Sequence, residues 1–156
     1  MPRTKTEDRF STKVHTDENG CHRWTAAVQN AGYGLFSVGG RMVLAHRWAY
    51  EQANGPIPDG MFIDHICHQP ACVNPDHLRL ATHKQNKENL VGLYKNNTSG
   101  YRGVYWDPRG KKWRACIRHN GKRINLGSYT TEDEAGEAAR LARNSLFTHN
   151  NLDRIA

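Results

Sequence analysis

No stretch of the 156 residues approaches the eighteen consecutive apolar residues of a membrane-spanning helix, and cysteine is scarce and scattered, at positions 21, 67, 72 and 116. The first lack excludes a membrane-spanning helix among these residues. The second excludes the dense disulfide framework of a small secreted domain. Met1-Pro2-Arg3-Thr4-Lys5 has no apolar signal-peptide core, so the expected setting is reducing and intracellular. Internal repeats and low-complexity tracts are missing as well.

Acid runs short in one region. The chain carries 22 Lys and Arg against 15 Asp and Glu, a net charge of +7. Residues 1–95 hold 11 basic and 9 acidic residues, and residues 96–156 hold 11 and 6. Within 101–129, eight basic residues meet the single acid Asp107, with Tyr101, Tyr105, Trp106, Trp113 and Tyr129 interleaved. Basic and aromatic residues on a small sheet point to nucleic acid as the partner. A solvated basic face is the plain alternative.

The length suits one ordinary domain or two small ones, and small domains are only marginally viable without a metal or disulfide. Two are read here. Residues 1–20 are polar and form a loosely ordered arm. Segments 24–28, 33–38 and 42–45 read as short strands separated by Gly32, Gly34 and Gly39-Gly40. Residues 46–54 read as a helix stopped by Gly55-Pro56-Ile57-Pro58-Asp59-Gly60. Met61-Phe62-Ile63 is a strand delivering Asp64 and His65, and Leu78-Arg79-Leu80-Ala81 returns beside it. Thr82 caps a helix running to about Val91, with Asn86 in its first turns. Residues 95–100 are polar and turn-rich and form a linker. Beyond it, strands at 101–106, 112–119 and 122–129, the second turn marked by Asn120-Gly121, lead into a capping box at Thr131-Glu132-Asp133-Glu134 and a helix ending near Phe147. In the middle strand Trp113, Ala115 and Ile117 alternate with Arg114, Cys116 and Arg118, so one face meets the helix and the other offers arginines.

Chemistry concentrates between Asp64 and Asn86. Cys67, Cys72 and His77, each four intervening residues apart, can wrap one tetrahedral zinc ion. Oxygen donors from Asp64 and Asn86 suit magnesium, so the segment implies a structural and a catalytic metal. Phosphodiester hydrolysis also needs a base for water. His65, neutral near pH 7, can act as one once a hydrogen bond orients its ring, and the loop at Asn74 can supply that bond. Taken singly, His65 and Asn86 read as ordinary polar residues, and their joint spacing with the zinc trio makes the site. His68 is a competing ligand whose side chain should point away from that of Cys67. His15, His22, His46, His83, His119 and His149 receive no role, and Trp24 and Trp48 read as core.

The set His65, Cys67, Cys72, Asn74, His77 and Asn86 resembles the HNH nucleases, and within the wider ββα-metal superfamily especially the His-Cys box homing endonucleases. The resemblance implies His65 as general base, Asn86 as magnesium ligand (manganese being an alternative ion) and Asn74 as the residue steadying the loop. It also implies zinc on Cys67, Cys72 and His77 with a fourth ligand from upstream, for which Cys21 is the candidate. Asp64 departs from the His-Cys box pattern and agrees with the Asp-His pair of HNH enzymes. Arg47 is a candidate for steadying the leaving group.

The second half resembles the plant ethylene-response-factor, or Apetala-two, DNA-binding domain. The matching residues are Tyr101-Arg102-Gly103-Val104, Trp113 with Ala115, Ile117 and Arg118, Leu126-Gly127-Ser128-Tyr129, and Glu134-Ala135. By position, Arg102, Arg118 and Arg123 would contact double-stranded DNA, as would Tyr105 and Asn125, where the plant proteins carry other side chains. Arg114 shares their face. Cys116 falls there too, without a role.

The expected fold is α+β: a zinc-stabilised ββα-metal nuclease domain over residues 21–94, the linker, and a three-stranded antiparallel sheet packed on one helix over 101–156. The expected activity is magnesium-dependent DNA cleavage leaving a 5′-phosphate and a 3′-hydroxyl, by a homing endonuclease of a phage or other mobile element, acting in the cytoplasm of a host cell. The main rival is a non-catalytic DNA-binding regulator with a zinc-stapled fold, and a lesser one is an RNA-directed protein. Monomer and dimer both remain open.

Overall fold

The computed structural model describes residues 5–90 and 92–155. Residues 1–4 of the expected arm, Val91 at the expected helix end, and Ala156 lie outside them. The chain divides into two units, Met1–Asn86 and Lys87–Ala156, and the division falls inside a helix. The architecture is mixed α+β, built from small antiparallel sheets. No helix among the described residues is long and apolar enough to cross a membrane.

The stretch read as a loose arm is ordered from Lys5 onward. It holds α1 (Thr6–Ser11) and β1 (Val14–Thr16), the latter paired with β2 (His22–Trp24). The reason is Phe10, whose ring lies 5.0 Å from Trp24, 5.1 Å from Phe36 and 4.4 Å from Trp48. Burying such rings offsets the entropy of ordering a polar segment, at about 0.5–1.5 kcal/mol per aromatic pair beyond the area buried. Polarity alone gave no sign of this, because one apolar residue in the arm carries the anchor.

β3 (Leu35–Val38) and β4 (Arg41–Leu44) form a hairpin whose turn, Gly39-Gly40, takes φ of 56° and 81°. Only glycine enters that turn cheaply. α2 (Ala45–Asn54) follows β4 directly and stops at Gly55, where φ is 86°. Its Ala45 and Ala49 pack on Trp24, Phe36 and Val73, the core of the first unit. Next, β5 (Phe62–His65) pairs with β6 (Leu78–Ala81), placing Asp64 opposite Arg79. The connecting loop contains a tight turn at Pro75–His77. α3 (His83–Glu88) opens with a reciprocal cap, in which Gln85 N donates to Thr82 Oγ1 and Thr82 N donates to Gln85 Oε1.

In the second unit, β7 (Val104–Asp107), β8 (Lys112–His119) and β9 (Lys122–Tyr129) form one sheet in that order. α4 (Glu132–Leu146) begins at the expected capping box. Its fully buried Ala135 and Ala139 let the helix approach Val104 and Ala115 closely. A further helix, α5 (Asn151–Ile155), was not anticipated. The buried Arg143 of α4 holds it by an ion pair with Asp153 at 2.6 Å.

Candidate active site and metal centre

Four ligand-bearing residues converge in the first unit. The donor atoms of Cys21, Cys67, Cys72 and His77 all lie within 4.8 Å of one another, a group able to hold a metal ion. His77 Nδ1 is 3.5 Å from Cys21 Sγ and 3.7 Å from Cys72 Sγ. Cys21 arrives from far upstream because the chain around β2 runs along the loop. Trp24 N donates to Ala71 O at 2.8 Å, and Val73 N donates to His22 O at 2.8 Å. Asp17 fixes the approach by accepting from Cys21 N at 2.9 Å and pairing with Arg23 at 2.8 Å. His68 lies outside the group, its backbone turned into the left-handed region at φ 56°.

Burial pushes the Cys21 thiol up to about 12 and raises that of Cys72, and the neighbouring Cys67 thiol adds to both shifts. Three thiolates cannot share this space without a cation. With one, the same crowding becomes a ligand shell, and sulfur and imidazole donors fit zinc.

The same loop aims His65. Its Nε2 is 3.0 Å from the carbonyl oxygen of Cys72. A carbonyl only accepts, so Nε2 carries the hydrogen and Nδ1 is the ring's acceptor. Burial holds the His65 pKa below the ordinary histidine range, which keeps the ring neutral near pH 7. The bond expected from the Asn74 loop is thus made by Cys72, two residues earlier. Asn74 accepts from Asp76 N at 3.1 Å, capping the Pro75–His77 turn, and donates to Gly20 O at 2.8 Å.

Asp64 points to the other face of β5, where Arg79 donates from Nε and Nη2 to its Oδ2, both at 2.8 Å. Any metal on that oxygen would share it with a guanidinium. Asn86 is half-buried on α3 and makes no side-chain hydrogen bond among the described residues. Its amide oxygen is a hard donor of the kind magnesium takes.

One neighbour of the site went unread in the sequence. The His46 ring lies edge-on to His65 at 4.8 Å, and Tyr33 lies 5.1 Å from His46 and 5.8 Å from His65. His46 is 4% exposed, and its Nδ1 has no hydrogen-bond partner among the described residues. Burial, with His65 and Arg47 nearby, lowers its pKa to about 3. A lone histidine has no ligand spacing to announce it. The available signal was its place on the apolar face of α2, three residues before the buried Ala49.

The second unit presents a basic face. Tyr105, Arg114, Arg118, Arg123 and Asn125 are exposed there. Arg114 pairs with Asp107 at 2.7 Å, and Arg123 donates to Tyr105 Oη at 2.7 Å while lying over its ring. Arg118 stands directly across from Arg123 in the strand register, a like-charge pair that an anion would relieve. Cys116, partner of Asn125, is half-buried on this face. Arg102 is placed differently. It is half-buried and donates from Nη1 to Glu88 O and from Nη2 to Lys87 O, both at 3.1 Å, with its guanidinium over Phe147.

Comparison with known sequences agrees with both halves. Residues 43–88 match the HNH endonuclease family, and residues 99–149 match the AP2 domain. Protein 7.7 of Escherichia phage T7 is 45% identical over 71 residues, covering 46% of this chain and 55% of that protein. Protein 3.8 of the same phage is 42% identical over 83 residues, covering 53% and 68%. The uncharacterized HNH endonuclease L560 of Acanthamoeba polyphaga mimivirus is 30% identical over 118 residues, covering 75% and 59%. The chain thus spans between roughly half and two thirds of the length of these relatives. No solved structure matches it. Together with the ligand cluster and the oriented histidine, these matches give the chain an HNH endonuclease-family domain over residues 43–88 and an AP2 domain over residues 99–149.

Proposed function

We propose that the protein is a magnesium-dependent DNA endonuclease in which His65 takes the proton from the attacking water. The observation that carries this reading is the Nε2 bond from His65 to the Cys72 carbonyl. It fixes the tautomer, leaves Nδ1 as the accepting atom and sits in a buried, neutral ring.

Asn86 would hold the magnesium ion, with Asp64 as a second oxygen donor if Arg79 yields Oδ2. When bound, such an ion supplies charge stabilisation at the phosphate oxygens. Zinc on Cys21, Cys67, Cys72 and His77 keeps the loop folded, and Asn74 ties that loop to Gly20. β5, β6 and α3 then correspond to the ββα-metal arrangement, and Arg47 is the candidate contact to the leaving oxygen. Tyr105, Arg114, Arg118, Arg123 and Asn125 would meet double-stranded DNA through phosphate and base edges. A weakly selective nuclease tethered to a second DNA-binding surface gains effective concentration at a target. That is the logic of a homing endonuclease of a phage or mobile element working in a host cell.

Supercoiled plasmid incubated with the purified protein tests this. Nicked or linear product with magnesium and none with EDTA is expected, with 5′-phosphate ends. Binding without cutting in any divalent metal would favour a non-catalytic DNA-binding regulator instead. Preferential cleavage of RNA would redirect the substrate assignment.

A further inference from the structure

The last turn of α3 ends in carbonyl groups with no partners inside the helix. Two of them, on Lys87 and Glu88, receive the two terminal nitrogens of Arg102. The Glu88 side chain is itself buried and accepts from Thr148 N at 2.9 Å. Arg102 is fixed in turn, because its own carbonyl accepts from Arg143 Nη1 at 2.7 Å and Arg143 is paired with Asp153. The clamp is therefore a chain of charge-assisted bonds on a half-buried arginine, anchored at its far end by the buried Arg143.

α3 has six residues, a length that does not sustain a helix by itself in water. Its first turn is closed by Thr82 and Gln85, and its last by Arg102. Asn86 lies between those closures, one residue before the first clamped carbonyl. We infer that Arg102 is a positioning residue for Asn86: it keeps the final turn of α3 helical so that the amide oxygen stays presented, and it is not a DNA contact. A cation at a helix C-terminus also complements the negative end of the helix dipole. Lysine cannot replace it, since one ammonium does not span two carbonyls in a planar fork.

The catalytic half of this inference rests on the proposed role of Asn86, and the helix half stands without it. The test uses the full-length chain and Arg102→Lys. Amide exchange at residues 86–88 should accelerate about tenfold or more in the variant. The magnesium concentration for half-maximal plasmid cleavage should rise several-fold. DNA affinity measured in EDTA, and its salt dependence, should be unchanged. A clear loss of DNA affinity in the variant, with amide exchange unaltered, would make Arg102 a DNA contact and overturn the inference. If wild type fails to cleave at all, the nuclease reading falls, and amide exchange still decides whether Arg102 holds the helix. Should the variant misfold, wild-type protein labelled at arginine side chains gives the answer by NMR. Adding a DNA duplex should shift the Arg118 guanidinium and leave that of Arg102 in place, and a shifted Arg102 signal contradicts the inference.

Discussion

His65 and Cys72 are joined by one hydrogen bond, from Nε2 to the carbonyl oxygen at 3.0 Å, while the Cys72 thiol faces Cys21 and His77. A single residue thus contributes its side chain to the candidate metal cluster and its backbone to the histidine proposed as the base. Structure at the cluster and chemistry at His65 are coupled through the Cys72 backbone.

In the proposed mechanism, this coupling makes cleavage depend on a metal that takes no part in it. Stripping zinc with a thiol-reactive agent, magnesium kept saturating, should abolish cutting in step with zinc release, near one ion per chain. Cys67→Ala and Cys72→Ala should lose zinc and fold in lower yield, since binding energy at such a site is folding energy. Zinc-free protein that cuts at the wild-type rate would remove the structural-metal reading.

His46 should make the first unit acid-sensitive. Its folded pKa is about 3 against 6.5 for the free group. Between those values the unfolded chain binds a proton that the folded one refuses, so stability falls as pH drops from 6.5 toward 3. The limit is about 1.4 kcal/mol per pH unit for one proton. His46→Phe keeps the ring and removes the titration, and zinc loss in acid affects both proteins alike. The stability difference between them should therefore move toward the variant as pH falls. A difference independent of pH means that His46 titrates normally.

Arg118 tests the basic face. Arg118→Ala should weaken DNA binding roughly uniformly across sequences and reduce the salt slope by about one, as removal of a phosphate contact does. Loss of preference at one base pair, with the salt slope retained, would instead assign it to a base edge.

Gly136 checks the packing of the second unit. A Cβ there would lie 2.4 Å from the ring of Tyr101, whose hydroxyl is tied to Asp133. Gly136→Ala should cost about 1–3 kcal/mol from overpacking. That exceeds the gain of about 1 kcal/mol from alanine's helix propensity. A denaturant melt followed by Trp106 and Trp113 fluorescence reads the result, and an unchanged midpoint would mean that Tyr101 is free to move.

Much of this was legible from local pattern. The alternation of Trp113, Ala115 and Ile117 with Arg114, Cys116 and Arg118 reads directly as a two-faced strand, and Thr131 with Glu134 reads as a cap. The spacing of Cys67, Cys72 and His77 shows because one loop supplies all three. What escaped depends on contacts distant in sequence. Phe10 orders the arm only through Trp24, Phe36 and Trp48, and His46 meets His65 only after α2 packs. Arg102 sits in a motif that resembles a DNA-contacting one, yet its guanidinium is spent on the end of α3. Sequence gives the residue type at such a position, whereas the competing acceptors appear only in the fold.

The most direct test compares wild type and His65→Ala side by side on plasmid DNA, with magnesium and with EDTA, scoring cleavage and, separately, DNA affinity. A base contributes to the transition state rather than to ground-state binding. Cleavage should fall by at least about a hundredfold, within the 10²–10⁴ range of general-base catalysis, while affinity stays within about twofold. Wild-type cutting rates in His65→Ala would contradict the assignment of His65 as the base.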